Sequence, residues 1–150
     1  MKRTIALFPI LMALSSLAFS ANSKAGVYTD QLSMCLVNST SVEDRNQLVR
    51  WMFAAASNHP AVSSIANVTP EALDQANQKM GELMMRLLTV SCKKEASEAL
   101  KYEGAQTMEA SFEVLGNVAG REMFSSPLVA ESLAGLDKYI DSEAIQALVE

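Results

Sequence analysis

Apolar residues recur along this chain at helical spacing, and alternation of the kind that marks strands never lasts. Between Val27 and Ser39, Tyr28, Leu32, Cys35 and Leu36 fall on one helical face. The densest apolar run follows, from about Val42 to Ser57, with Leu48, Val49, Trp51, Met52, Phe53, Ala55 and Ala56. A start signal precedes it: Thr40 with Glu43, and Ser41 with Asp44 as the competing pair one step on. In such a box the hydroxyl accepts an orphan backbone N–H and the carboxylate reaches back to another. Pro60 ends the segment, because a proline pushes the residue before it out of the helical region. This helix carries the only tryptophan and is expected at the centre of the core.

Residues 61–68 read as a connector with one short helical turn at most. Thr69-Pro70-Glu71 is a further start, with a cap, a proline at the first helical position and an acid in the first turn. From there Leu73, Ala76, Met80, Leu83, Met84, Leu87, Leu88, Cys92, Ala96, Ala99 and Leu100 keep near-helical spacing as far as Tyr102. Unbroken, that helix would be about 50 Å long at 1.5 Å per residue. A bend at Gly81 or near Ser91-Cys92 is therefore expected. Glu103-Gly104 stops it. Ala105, Met108, Phe112, Leu115, Ala119 and Met123 trace the next helix, on which Gly116 and Gly120 suggest close approach of a neighbour. Ser126-Pro127 opens another, with Val129, Leu133, Leu136 and Ile140 as its inner face. Asp141 can cap a last short helix. The pattern predicts an all-α, single-domain bundle of five to six helices over residues 21–150.

The first twenty residues belong to a different class. Lys2 and Arg3 precede an apolar run from Ile5 to Phe19, and Ala18-Phe19-Ser20 supplies small residues at the two positions that signal peptidase reads. A secretory signal peptide over residues 1–20 is expected, with cleavage after Ser20. The run is short for a membrane span, and no second one follows, so no membrane anchor is expected after cleavage. Export also gives meaning to the two cysteines. An even count in an oxidising compartment predicts one disulfide, Cys35–Cys92, tying the first helix to the long third one.

Charge narrows the partners. All 17 acidic residues and ten of the 12 basic ones lie beyond the leader, leaving a net −7 on residues 21–150. With Lys93-Lys94 as the only adjacent basic pair beyond the leader, nucleic acid and anionic lipid are disfavoured as partners.

The search for chemistry finds little. One histidine, His59, sits beside Pro60, where it can interact with the last carbonyls of its helix. There is no HExxH, no GxSxG and no glycine-rich phosphate loop, so no catalytic residue, metal ligand or cofactor site is assigned. Arg50 and the pair Arg121-Glu122 lie in apolar surroundings, where a charge must snorkel or find a partner. An anion site on a helical scaffold competes there with an ion pair between helices, such as Arg50 with Glu122 or Glu103. At least one of Arg50 and Arg121 is expected to be buried and paired. Trp51 is expected either in the core or in an exposed apolar binding patch. Seven methionines remain beyond the leader; thioether clusters bind Cu(I), but these residues read as core filler.

The residues Cys35-Leu36-Val37, the run from Leu48 to Ala55, His59-Pro60, Cys92, and Ala99 to Gly104 resemble small exported all-helical proteins of proteobacteria to which no activity is assigned. The resemblance implies the same compartment and the same disulfide, and it names no substrate. Taken together, these features lead to the expectation of a non-enzymatic periplasmic or secreted protein that binds another macromolecule, an unknown envelope protein. The alternative is a carrier of a small apolar or metal ligand held between helices. An enzyme built around Arg50, Arg121 and nearby carboxylates is a third class. A closed apolar cavity would favour the carrier, a polar cleft with Arg and Glu the enzyme, and neither the interaction protein.

Overall fold

The computed structural model describes residues 26–149, so the leader expected over residues 1–20 lies outside it. Among the described residues there are seven α-helices and no strand. They are α1 (Val27–Asn38), α2 (Val42–Ala56), α3 (Pro70–Arg86), α4 (Lys93–Glu103), α5 (Gln106–Phe124), α6 (Pro127–Ala134) and α7 (Ser142–Gln146). A π-turn, Leu87–Ser91, joins α3 to α4, and a 3₁₀ segment, Gly135–Tyr139, follows α6.

Local signals set the helix ends. At α2 the competing box wins: Ser41 Oγ accepts from the Asp44 N–H at 3.1 Å, and Asp44 Oδ2 accepts from the Ser41 N–H at 2.8 Å. Thr40 instead donates its hydroxyl to the Val37 carbonyl at 2.9 Å and helps close α1. Thr69 caps α3 through the Ala72 N–H, and Asp141 accepts from the Glu143 and Ala144 N–H groups to start α7. Gly104 ends α4 at φ 86°, a left-handed conformation that favours glycine.

The predicted long helix is split in two, which is why there are seven helices rather than five to six. The core positions explain where. Met80, Leu83 and Leu87 step by three and four, and so do Cys92, Ala96 and Ala99. Between Leu87 and Cys92 the step is five, one residue too many for one α-helical face. The π-turn absorbs it, with the Cys92 N–H donating to the Leu87 carbonyl at 2.7 Å. Gly81, the other expected bend, lies inside regular α3.

The core centres on the packing of α1 against α5, not on α2. Helix α1 packs against both α4 and α5, while α2 packs on α3 and α5. Leu32 and Leu36 of α1, Leu87 and Leu115 are fully buried, and each contributes roughly 1.5–3 kcal/mol of transfer free energy. In α2 the buried positions are Leu48 and Ala54, and Phe53 is 62% exposed. The Cys35–Cys92 disulfide joins α1 to the residue after the π-turn, with Cα atoms 5.8 Å apart.

The buried row of α5 is Thr107, Ser111, Leu115 and Ala119, four residues apart each time, and its first two members meet α1 at Thr29. Small side chains on that row permit close approach, and its hydroxyls are paired. Gly116 and Gly120, expected to serve this purpose, face open space, with nothing within 4 Å of an added Cβ. The inner face expected for residues 127–140 also fails: α6, the 3₁₀ segment and α7 bury no residue. The packed body ends with α5, and residues 127–149 form an arm that touches it through α6 on α5.

Candidate functional site

Of the charged groups the sequence points to, Glu122 and Glu103 tie helices together, and Arg50 and Arg121 do not. Arg50 is exposed, its side chain retaining 66% of its accessible surface, and it pairs at 2.9 Å with Glu43 on its own helix. Arg121 is exposed on α5, and no ion pair links it to another described residue. The expectation that one of the two is buried and paired is therefore overturned. The partly buried arginine is Arg45, its side chain 16% exposed, whose Nε donates to the more exposed Glu122 on α5 at 2.7 Å. Its Nη1 donates to the Thr40 carbonyl, also at 2.7 Å. The interhelical ion pair expected of Glu122 thus exists with a different partner. A short-range reason is visible: Arg45 sits in the first turns of α2, where its side chain reaches α5, whereas Arg50 turns outward. A second pair, Arg86 with Asp44 at 2.9 Å, ties α3 to the start of α2. Burial pushes the Asp44 carboxyl up, but the Ser41 N–H and hydroxyl and the Arg86 guanidinium outweigh it and hold it below its ordinary value.

Trp51 is half-buried. Its ring packs against the core and its Nε1 donates to Asn77 Oδ1 of α3 at 2.9 Å. It is an α2–α3 tie at the core's edge. His59 is exposed, and its Nδ1 accepts from the Ala61 N–H at 3.2 Å, so the side chain shapes the turn after α2 rather than meeting the last carbonyls. The methionines divide between surface and core: Met34 and Met85 are exposed, against expectation, and Met80 is buried.

The most connected polar group is Glu103, which the sequence offered only as an ion-pair partner for Arg50 and which instead caps a helix. Helix α1 starts after Gly26, which has no side chain with which to cap it. Glu103, the last residue of α4, supplies the missing anion. Its carboxylate accepts from the Tyr28 N–H at 2.9 Å, the Thr29 N–H at 2.8 Å and the Thr29 hydroxyl at 2.6 Å. Since the Thr29 proton is committed to Glu103, the Thr107 hydroxyl donates to Thr29 Oγ1 at 2.7 Å. Ser111 donates to the Thr29 carbonyl at 3.2 Å. The Thr29 hydroxyl, and then the two N–H groups against opposing burial, hold the Glu103 carboxyl below its ordinary value. A negative charge at a helix N-terminus is also favoured by the helix dipole. A methyl on Gly26 would overlap this carboxylate, so the glycine is needed for space. The only advance signal is α1 itself: a helix without its own cap needs one from elsewhere.

Beside Glu103 lies an open cleft of about 670 Å³ between α1 and α5, with Glu109 and Glu113 on its wall. A groove of about 480 Å³ between α2 and α5 carries the Arg45–Glu122 pair and Val129 of α6. A third, of about 310 Å³, runs between α2 and α3. Among the described residues every buried side-chain polar atom has a partner, so none is aimed unpaired into a cleft. No group of three or more His, Cys, Asp or Glu side chains is placed to hold a metal ion among them, and no helix is long and apolar enough to cross a membrane.

Exposed large apolar side chains also run along the arm. Leu128, Leu133, Leu136, Tyr139, Ile140, Ile145, Leu148 and Val149 are all exposed, Leu128 at 75% and Tyr139 at 82%. The sequence carried a signal here: Leu128 and Tyr139 lie off the stripe of Val129, Leu133, Leu136 and Ile140, so the arm has more apolar residues than one inner face uses. No protein-family model, curated protein or solved structure matches the chain.

Proposed function

We propose that the protein is a non-enzymatic helical protein, exported to the periplasm or beyond, that acts by binding another macromolecule through the arm 127–149. The observation that carries the reading is the set of large apolar side chains exposed along that arm, on α6, the 3₁₀ segment and the residues from Ile140 to Val149. Apolar surface on this scale, outside the packed body, marks an interaction segment in a folded protein. Two features support export: the signal-peptide layout of the first twenty residues and the disulfide, which suits an oxidising compartment. The clefts are open and the one between α1 and α5 is walled by glutamates, an arrangement that suits neither a carrier of apolar ligands nor Cu(I).

The test is site-specific photo-cross-linking in cells that export the protein. A photoreactive side chain at Leu136 or Tyr139 is expected to yield discrete macromolecular adducts, and one at the exposed Gln78 of α3 is not. Adducts of equal yield from both places, or none from the arm, would sink the proposal.

A further inference from the structure

Resting on the reading of the arm as the docking segment, we propose that its partner is a second copy of this chain, which receives it in the groove between α2 and α3. The groove has an apolar floor of Phe53, Ala54, Val68, Ala72 and Ala76. Among the described residues, the only charged side chains that line it are Arg50 and Lys79, both cationic. The arm is apolar with the opposite charge: Glu131, Asp137, Asp141 and Glu143 against Lys138 alone, a net −3 over residues 127–149. The two surfaces therefore match in apolar character and in sign, which is what orients and selects partners at an interface.

The other clefts do not offer this. The one between α1 and α5 holds three glutamates and would repel the arm. The one on α4 mixes Lys93 and Lys94 with Glu95 and Glu98. The one between α2 and α5 already seats Val129 at the root of the arm, and its charges are spent on each other. In the α2–α3 groove the Arg50–Glu43 pair is solvent-exposed and within one helix; such a pair is weak and exchanges readily for an incoming carboxylate. Phe53, exposed in the isolated chain, gains a cover. If each copy lends its arm to the other, the two interfaces are identical and the assembly closes as a two-fold dimer.

The experiment is sedimentation velocity of the purified protein over a concentration series, with and without Arg50→Glu plus Lys79→Glu. Both substituted side chains are on the surface, and circular dichroism checks that the fold is retained. The wild type is expected to form a reversible dimer that weakens with salt. The groove variant should raise the dissociation constant by at least roughly tenfold, and adding Glu131→Lys and Asp137→Lys to it should restore association. A monomer at all concentrations, an arm seated in the groove of its own chain, or a dimer indifferent to the charge reversal overturns the inference. If cross-links from Leu136 then lead to a different macromolecule, the docking role of the arm stands while its assignment to a second copy falls. If the arm yields no cross-link at all, both fall.

Discussion

Replacing both Cys35 and Cys92 by serine removes a cross-link whose value follows from where it sits. The cysteines are 57 positions apart, and closing a loop of that length in the unfolded chain costs about 4 kcal/mol of conformational entropy in the chain-entropy model. Folded domains retain only roughly 5–15 kcal/mol in total. In a body of this size each kcal/mol moves the melting temperature by about 3–5 °C, so the expected fall is about 12–20 °C. Little else should change at the site. Ser39 Oγ is 3.5 Å from Cys92 Sγ and 3.7 Å from Cys35 Sγ, so an introduced hydroxyl has a ready partner. The comparison therefore isolates the cross-link from the cost of a buried unpaired polar group. The assay is thermal unfolding by circular dichroism, with limited proteolysis to follow α1, the element the bond ties to the π-turn. A fall of under about 4 °C would refute the reasoning and leave α1 held by packing and the Glu103 cap alone. So would two free thiols in the unfolded, unreduced wild-type protein.

Three further outcomes follow from the polar ties and the glycines. The folded Glu103 carboxyl is depressed below its ordinary value of 4.5, so its stabilising effect is fully present above that pH and is lost as pH falls through the folded value. Glu103→Gln should lower the melting temperature at pH 7 and lose less on going from pH 6 to pH 3 than the wild type does; parallel profiles would contradict this, and Gly26→Ala, which displaces the same carboxylate, should add little to it. A double-mutant cycle on Arg45→Ala and Glu122→Gln should give a coupling of about 1 kcal/mol, while Arg50→Ala and Arg121→Ala each change stability by less than about 0.5 kcal/mol; denaturant titration measures both, and a reversed order would mean that burial at Arg45 has been misjudged. Gly116→Ala and Gly120→Ala should each stabilise the protein by roughly 0.5–1 kcal/mol, because each sits in regular α5 with open space where the Cβ would go; a lower denaturation midpoint for either would show a neighbour closer than the structure places it.

Helix type and limits were legible in the sequence because they are decided within a few residues. A cap hydroxyl, a proline at the first turn or a glycine at the end acts on backbone groups three or four positions away, and no distant partner is needed. Thr69-Pro70, Asp141 and Gly104 were readable on those terms, and the disulfide was readable because only two cysteines exist to pair. The choice between Thr40 and Ser41 as the cap of α2 was not, since both boxes are locally sound. It turned on Asp44 also meeting Arg86 of α3 and on Thr40 being held by the Val37 carbonyl and Arg45. Which helices form the centre was decided in the same way. Apolar density favoured α2, but burial depends on how many neighbours surround an element, and α1 is enclosed by α4, α5 and the disulfide. Arg45 rather than Arg50 is partly buried because α5 passes beside the first turns of α2. Glu103 caps α1 because α4 happens to end beside Gly26. The arm from Pro127 onward shows the same limit from the other side: its apolar spacing promised an inner face, and among the described residues no element of the body is placed to cover it. Periodicity states what a helix is able to bury; only the packing of the other helices determines whether it does.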